Sequence, residues 1–479
     1  MKHIKRFLRF LGLLILTLAV FIAGVLLIDS HNTGYLQVAN QPDSVPTSYI
    51  IDQVNIVPMT SDTILPNKSV WVSEGRIKAI AKAGTLHPKG IAVINGHHGY
   101  LSPGLIDMHI HLWDRYELGL YLANGVTAVR NLWGYPMHLR IKSDLNNDKI
   151  LGPVFITSSP KLTSPDDIGD DKVQIATPKE AKQHIIAYKK RGFDIIKTYA
   201  GLHPDLFEAI VEQAKESDIK IVSHPSRKMP YLNQFNPQIV SLEHMEEIVQ
   251  EGLHYKLDSI EIQPIINKFV ATKTSFCPTL TGYYKIYEML THDDSILKSD
   301  KAQYINPLIQ QTDSKVQYAR WDNEKSHNPT ITYDIYKQHQ FHLYVLKQMQ
   351  NNGVNIISGT DAGIGITAPG VSLHEELQFY KVAGFTNYEA LKTATCNPSK
   401  TQKEFKDMGT VEIGKMANLI LTKTNPLDTL DALKTPAWVM VKGHKINPST
   451  LTAFKANAKN RHDFLATALR YAEYLWVEK

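Results

Sequence analysis

His109 and His111 lie one residue apart in the stretch "LSPGLIDMHIHLWD". Along an extended strand alternate side chains share a face, so these two imidazoles point the same way and can hold one ion between them. In a chain with 20 histidines such a pair also arises as an ordinary strand face, and its meaning depends on partners elsewhere. Candidates recur in short apolar segments further on: Lys197 in "FDIIKTYA", His224 in "IKIVSHPS", His244 in "QIVSLEHM" and Asp361 in "VNIISGTDAG". Singly, each histidine reads as a hydrogen-bonded structural residue, the lysine as a solvent-reaching side chain and the aspartate as a helix cap. Gathered at one place, the six would form a nitrogen and oxygen donor set suited to divalent metal ions.

The elements that would gather them follow from the texture of the middle of the chain. Short apolar strands alternate with helical stretches such as "TPKEAKQHIIAYKKRG" and "HPDLFEAIVEQAKESD", which predicts βαβ units and a parallel sheet. Eight strands are expected, at residues 105–112, 125–132, 152–159, 193–200, 219–226, 238–245, 274–280 and 354–363. Eight such strands close into a (β/α)8 TIM-like barrel, whose chemistry sits at the C-terminal strand ends, where the candidate ligands fall. Residues 103–402 are assigned to this barrel. Turn-punctuated β-branched runs on both sides, at 47–102 and 403–450, predict a small composite β-sandwich into which the barrel is inserted.

The termini carry other signals. Lys2, Lys5, Arg6 and Arg9 precede an uncharged apolar run from Phe10 to Ile28, close to the roughly 20 residues that span a bilayer. Residues 1–29 are read as an uncleaved signal anchor, a transmembrane helix with its basic tail in the cytoplasm and the body extracytoplasmic, periplasmic or at the cell surface. Cleaved secretion, at a site near Ala23 and Gly24, is the alternative. Residues 30–46, with Pro42 and Pro46, are read as a polar tether. The segment 451–479 reads as an amphipathic helix that packs on the body or on a second copy of the chain in a homo-oligomer. The net charge of +5, partly owed to the N-terminal cluster, excludes a nucleic-acid partner. Two cysteines, Cys277 and Cys396, make no disulfide framework and read as buried thiols, although one bridge between them remains open.

"PGLIDMHIHL", "GVTAVRNL", "DIIKTY", "VSHP", "SLEHM", "SGTDAG", "EALKTATCNP" and "GTVEIGKMANLIL" follow one another between residues 48 and 446. As a set they resemble the amidohydrolase superfamily, of the binuclear-metal type with a carboxylated lysine. Within it the chain resembles the exported or membrane-attached prolidase-like and imidazolonepropionase-related hydrolases. The resemblance implies that His109, His111 and Asp361 ligate one divalent ion and His224 and His244 a second. Zinc suits such ligands, and manganese, cobalt or iron also fit. Lys197, after capture of carbon dioxide as a carbamate, would bridge the two. It further implies hydrolysis of an amide, dipeptide or cyclic amide by a metal-bridging hydroxide, with Asp361 as proton shuttle and a small-molecule or dipeptide-like substrate. Alternatives are the same site acting on an ester, lactone or phosphoester, and a catalytically silent binding protein. Mononuclear deaminases of the superfamily typically lack the bridging lysine and carry a glutamate where Arg227 stands, which disfavours deamination. Asn418 and Asn387 stand where the superfamily commonly has aspartate and proline, both away from the ligand set.

Further residues are assigned from position. Tyr199, two residues beyond Lys197 on the same strand, would face the same interior and contact an oxyanion or a substrate carboxylate, or else only pack. Arg227 and Tyr231 follow "SHPS" near the rim and would meet an acidic substrate group. His374 in "GVSLHEELQFY" would line the pocket, or cap or pack. His98, His138, His254 and the cluster from His327 to His342 are expected on surfaces or loops. The segment 281–350 exceeds an ordinary connection and reads as a lid, with Tyr283, Tyr284, Tyr287, Tyr304 and Tyr318 shaping the pocket, or as a structural helical pair.

Overall fold

The computed structural model describes residues 2–41 and 48–479. Two sheets organise the body. The flanking segments build the first: β1 (Ser48–Ile56), β2 (Leu65–Ser73), β3 (Arg76–Lys82), β4 (Ala92–Asn95) and β5 (Tyr100–Pro103), with three strands from the far end of the chain. The second starts with β6 (Leu105–Ile110), β7 (Val126–Asn131), β8 (Val154–Thr163), β9 (Lys172–Gln174) and β10 (Ile195–Thr198). It continues through β11 (Lys220–Ser223), β12 (Ile239–Glu243) and β13 (Ser275–Cys277), after which β14 (Leu419–Thr422), β15 (Trp438–Val441) and β16 (His444–Ile446) return to the first.

The first sheet runs β16-β15-β14-β5-β1-β2-β3, with β4 on β1. The junction is the antiparallel pair of β5 and β14, where Leu101 opposes Leu421, so residues more than 300 apart in sequence share one apolar face. Its strands belong to a single hydrogen-bonded sheet, built as expected from the two distant flanking segments. Its face is covered by side chains such as Val54, Val72, Leu419 and Met440, all buried.

The second sheet runs β13-β12-β11-β10-β8-β7-β6 with every neighbouring pair parallel. The expected eighth strand at 354–363 is reduced to two isolated bridges, Phe276 with Ile356 and Ile110 with Ala362, one on each side of the gap. These bridges almost close the ring. The chain bends away from ladder geometry because "GTDAG" must pass against β6: a Cβ on Gly359 would lie 2.8 Å from the backbone nitrogen of His109. Gly363, at φ +99°, would put one 2.0 Å from the carbonyl oxygen of His111.

Helices pack outside the ring with legible signals. In Pro178–Arg191, Thr177 caps the start by accepting from the backbone of Glu180, and Gly192 ends it at φ 99°. The long connection forms the helices Leu280–Thr291, Lys315–His327 and Ile331–Asn351.

The termini differ from expectation. The N-terminal helix runs Lys2–Asn32, three residues past the expected anchor, and its apolar window has a mean hydropathy of 3.0 with none of it buried. Residues 33–41 are not a free tether: Leu36 is fully buried, and its carbonyl accepts from the backbone nitrogen of Leu151. Pro42 and Pro46 lie outside the described residues. The expected single C-terminal helix is two, Pro448–Lys459 and Phe464–Glu478. The break falls at Arg461, which is buried and paired with Asp114 at 2.8 Å, a contact that a continuous amphipathic pattern does not announce.

Candidate functional site

All six expected ligands line one cavity of about 550 Å³ at the C-terminal mouth of the ring. His109 is the penultimate residue of β6 and His111 directly follows the strand, and Asp361 reaches them from the bent eighth segment. The Oδ1 atom of Asp361 lies 3.2 Å from His109 Nε2 and 2.8 Å from His111 Nε2. His244 joins this group, since one donor atom each from His109, His244 and Asp361 fall within 4.8 Å of one another. His224 stands beside it, its ring centroid 4.4 Å from that of His244. The two halves of the expected set are thus contiguous.

One nitrogen of most of these rings is held from behind. Glu243 Oε2 lies 2.7 Å from His109 Nδ1, Glu247 Oε1 lies 3.0 Å from His224 Nε2, and Thr279 Oγ1 lies 2.9 Å from His244 Nδ1. Such contacts fix ring orientation and leave the opposite nitrogen of each ring available. His111 lacks such a brace: its Nε2, like that of His109, meets Asp361, and its buried Nδ1 has no hydrogen-bond partner. His244, Asp361 and Thr279 all sit at positive φ, +71°, +58° and +48°, a backbone strain of about 1–3 kcal/mol per residue that clusters at functional sites.

Electrostatics follow from burial and charge. Burial lowers the His111 imidazole to about 4 and holds those of His224 and His244 below the usual histidine range. Asp361 is held well below the ordinary carboxyl range: burial works against this, and His109 and His111 prevail. Lys197 on β10 is fully buried, its Nζ has no hydrogen-bond partner, and burial brings its ammonium down to about 8, against the pull of Glu243 and Asp361. A lysine in this state offers a neutral amine near physiological pH.

The remaining expected residues divide. Tyr199 lines the cavity, its ring centroid 4.8 Å from that of His224. Arg227 is half-exposed and does not line it; Nη2 donates to Glu247 Oε1 at 2.6 Å, so the guanidinium braces the carboxylate behind His224. Tyr231 is buried against Phe235 in the core, away from any acidic group a substrate would bring. His374 is buried on its helix, its Nε2 3.0 Å from the carbonyl oxygen of Asn124, and so packs instead of lining the cavity. His138, expected at the surface, is fully buried, its Nε2 2.8 Å from the carbonyl oxygen of Leu112; His339 and His342 are buried too. None of the five tyrosines expected in the lid lines the cavity; that segment contributes Leu308, Ile309, Thr312, Asp313 and Gln317. Asp313 Oδ2 accepts from the backbone nitrogen of Gly365 at 2.6 Å, tying the segment to the loop after Asp361. Cys277 and Cys396 are buried free thiols.

Several site residues escaped the sequence reading. Lys161 lines the cavity from β8, which runs four residues beyond the expected end at 159; its Nζ pairs with Asp171 and lies 4.0 Å from the Trp133 ring centroid. A lysine in "SSPKLTS" was the available signal. Glu243 directly precedes His244, yet alternation along a strand turns the two side chains to different sides, and only the ring closure puts Glu243 behind His109. Trp113 and Trp133 also line the cavity, as do Ala468 and Tyr471 from the C-terminal helix.

Comparison with known proteins agrees with this architecture. A prolidase-described structure from Bifidobacterium longum superposes with a TM-score of 0.66 at 23% identity, covering 86% of this chain and 98% of that one. Bottromycin amidohydrolase superposes at 0.71 with 20% identity, covering 90% and 97%. At these identities the likeness establishes the fold. Curated sequence relatives are adenine deaminases, 35% identical over 63 residues in Chelativorans sp. (strain BNC1) and 39% over 70 residues in Staphylothermus marinus. The matched segments cover 10% and 12% of those two relatives' lengths and 13% and 14% of this chain. The amidohydrolase family profile, by contrast, matches residues 100–446, from the start of β5 through the last strand and including every expected ligand. The chain belongs to the amidohydrolase family.

Proposed function

We propose that this protein is a binuclear metal-dependent hydrolase of amide-type C–N bonds, anchored by its N-terminal helix with the catalytic body outside the cytoplasm. His109, His111 and Asp361 would hold one divalent ion, His224 and His244 a second, and Lys197 as its carbamate would bridge them, with zinc the metal best suited. The observation that carries this reading is Lys197, a buried amine without a hydrogen-bond partner among four histidines and an aspartate. As an ammonium it would repel two dications. As a neutral amine it attacks carbon dioxide, forms an N–C bond and releases a proton, which leaves a second anionic ligand beside Asp361.

When bound, the ions would polarise a substrate carbonyl and acidify a shared water. The residues do the rest. Asp361, ionised and in contact with His109 and His111, accepts the proton of the attacking water and delivers it to the leaving nitrogen. Glu243, Glu247 and Thr279 keep the imidazoles oriented while this happens. Tyr199 lines the same cavity and would donate to a substrate oxygen. The deaminases' sequence likeness covers too little of the chain to carry their reaction here, and Arg227, engaged with Glu247, stands where the superfamily's mononuclear deaminases typically carry a glutamate.

The test is elemental analysis of the full-length purified chain, combined with a screen of dipeptides and N-acyl amino acids. Two ions per chain and chelator-sensitive hydrolysis are expected, with Lys197→Met losing at least one ion. Fewer than one tightly held ion per wild-type chain would overturn the binuclear assignment.

A further inference from the structure

The family profile ends at residue 446, yet one wall of the cavity is built from beyond it. Ala468 and Tyr471, one helical turn apart on Phe464–Glu478, both line the cavity. The Tyr471 ring lies 6.0 Å from Trp113 and 6.1 Å from Trp133, and the two indoles lie 5.1 Å apart, edge to face. Trp113 is fixed by donation from Nε1 to the carbonyl oxygen of Gly363 at 2.6 Å, in the loop that follows Asp361. Three aromatic rings on three separate elements therefore border the same space as the candidate ligands.

The helix that brings Tyr471 is held at several points. Arg470, the neighbouring residue, pairs with Asp29 near the end of the N-terminal helix, and both side chains are largely buried. Arg140 makes two hydrogen bonds to Glu473, at 2.7 and 2.6 Å, and Arg191 pairs with Glu478 at the last turn. The N-terminal helix, also outside the family segment, is thus coupled to the cavity wall through one buried ion pair.

We propose that Tyr471, with Trp113 and Trp133, forms a subsite for an aromatic substrate side chain, and that the Asp29–Arg470 pair is a positioning element for it. The proposal rests on the amide-hydrolase reading for the identity of the substrate, while the subsite itself is a matter of binding. Offset and edge-to-face ring contacts favour a flat aromatic group here over an aliphatic one. Lys161, which lines the same cavity, lies with its Nζ over Trp133 and paired with Asp171, so a cation borders the aromatic wall.

The experiment uses the full-length chain and two kinds of probe. Binding of 3-phenylpropanoate and propanoate, neither of which can be hydrolysed, is measured by calorimetry; turnover is measured with Ala-Phe and Ala-Gly. The wild type is expected to prefer the phenyl ligand at least tenfold, with Tyr471→Ala and the better-packing Tyr471→Leu each losing most of that preference. Arg470→Ala is expected to reduce the preference about threefold and Arg470→Lys to restore it, a rescue that loss of folding would not show. An unchanged preference in both Tyr471 variants, or none in the wild type, overturns the subsite, even if Ala-Phe is cleaved. A preference that behaves as expected without cleavage of either dipeptide leaves the subsite standing and overturns the dipeptide reading of the substrate instead.

Discussion

Glu243 is the residue through which the reasoning on the site can be tested most sharply. Its carboxylate is fully buried between two demands: Oε2 meets His109 Nδ1 at 2.7 Å, and Oε1 accepts from Arg130 Nη2 at 3.0 Å and from Ser241. Burial alone would raise its pKa, but Arg130 and His109 outweigh burial and hold it at about 2, against an ordinary 4.5. That difference corresponds to about 3 kcal/mol of stability at neutral pH. Because the folded-state value is the lower one, this contribution is present above about pH 4.5 and lost as the pH falls toward 2. Glu243→Gln keeps the shape but leaves one acceptor oxygen where three donors, from His109, Arg130 and Ser241, converge on two, and it strips the buried Arg130 of its counter-ion. We expect a loss of about 3–5 kcal/mol in equilibrium denaturation, the usual cost of breaking one side of a buried pair. Metal affinity should also fall about 10–100-fold through the unbraced His109. Stability between pH 4.5 and 2 should be flatter in the variant than in the wild type. A loss below about 1 kcal/mol with metal content unchanged would refute the account of Glu243 as the brace of the site.

Asp361→Asn is expected to keep the fold, with turnover falling about 10²–10⁴-fold; near-normal activity in the purified variant would sink its role as proton shuttle. Tyr199→Phe should lower turnover if the phenol meets the oxyanion, or raise the Michaelis constant if it meets a substrate carboxylate, and unchanged kcat and KM would show that the ring only packs. Arg461→Met leaves Asp114, Glu117 and Asp463 without their buried cation, and should cost about 3–5 kcal/mol and loosen the C-terminal helix, read as faster amide exchange over residues 464–478. Exchange equal to wild type would show that the helix is held without that pair.

Much of the centre was legible in the order of residues. The period of short apolar strands implied a parallel ring, and the rule that barrel chemistry gathers at C-terminal strand ends was enough to pick out His109, His111, Lys197, His224, His244 and Asp361 as one cluster. These are local facts: a strand's end is visible as a change of texture, and a ligand is a residue type at that end. The eighth strand was legible as a segment but not as two bridges, because its bend is forced by the closeness of Gly359 and Gly363 to β6, a contact between positions some 250 apart. Tyr231 and His138 were misplaced for a related reason, since a side chain near a rim in sequence can turn inward into the core, while His374 took the packing alternative and meets the carbonyl oxygen of Asn124.

What the sequence by itself determined is therefore the kind of site: which donors, on which strand ends, in a ring that brings them together. Tertiary structure alone decided what stands behind and around them. Glu243 braces His109 across 134 residues, Arg227 braces Glu247, and Tyr471 reaches the cavity from a helix beyond the family segment. Such partners carry no spacing or periodicity of their own. They become neighbours only when the ring closes and the two terminal helices dock against it, held by Asp29 and Arg470.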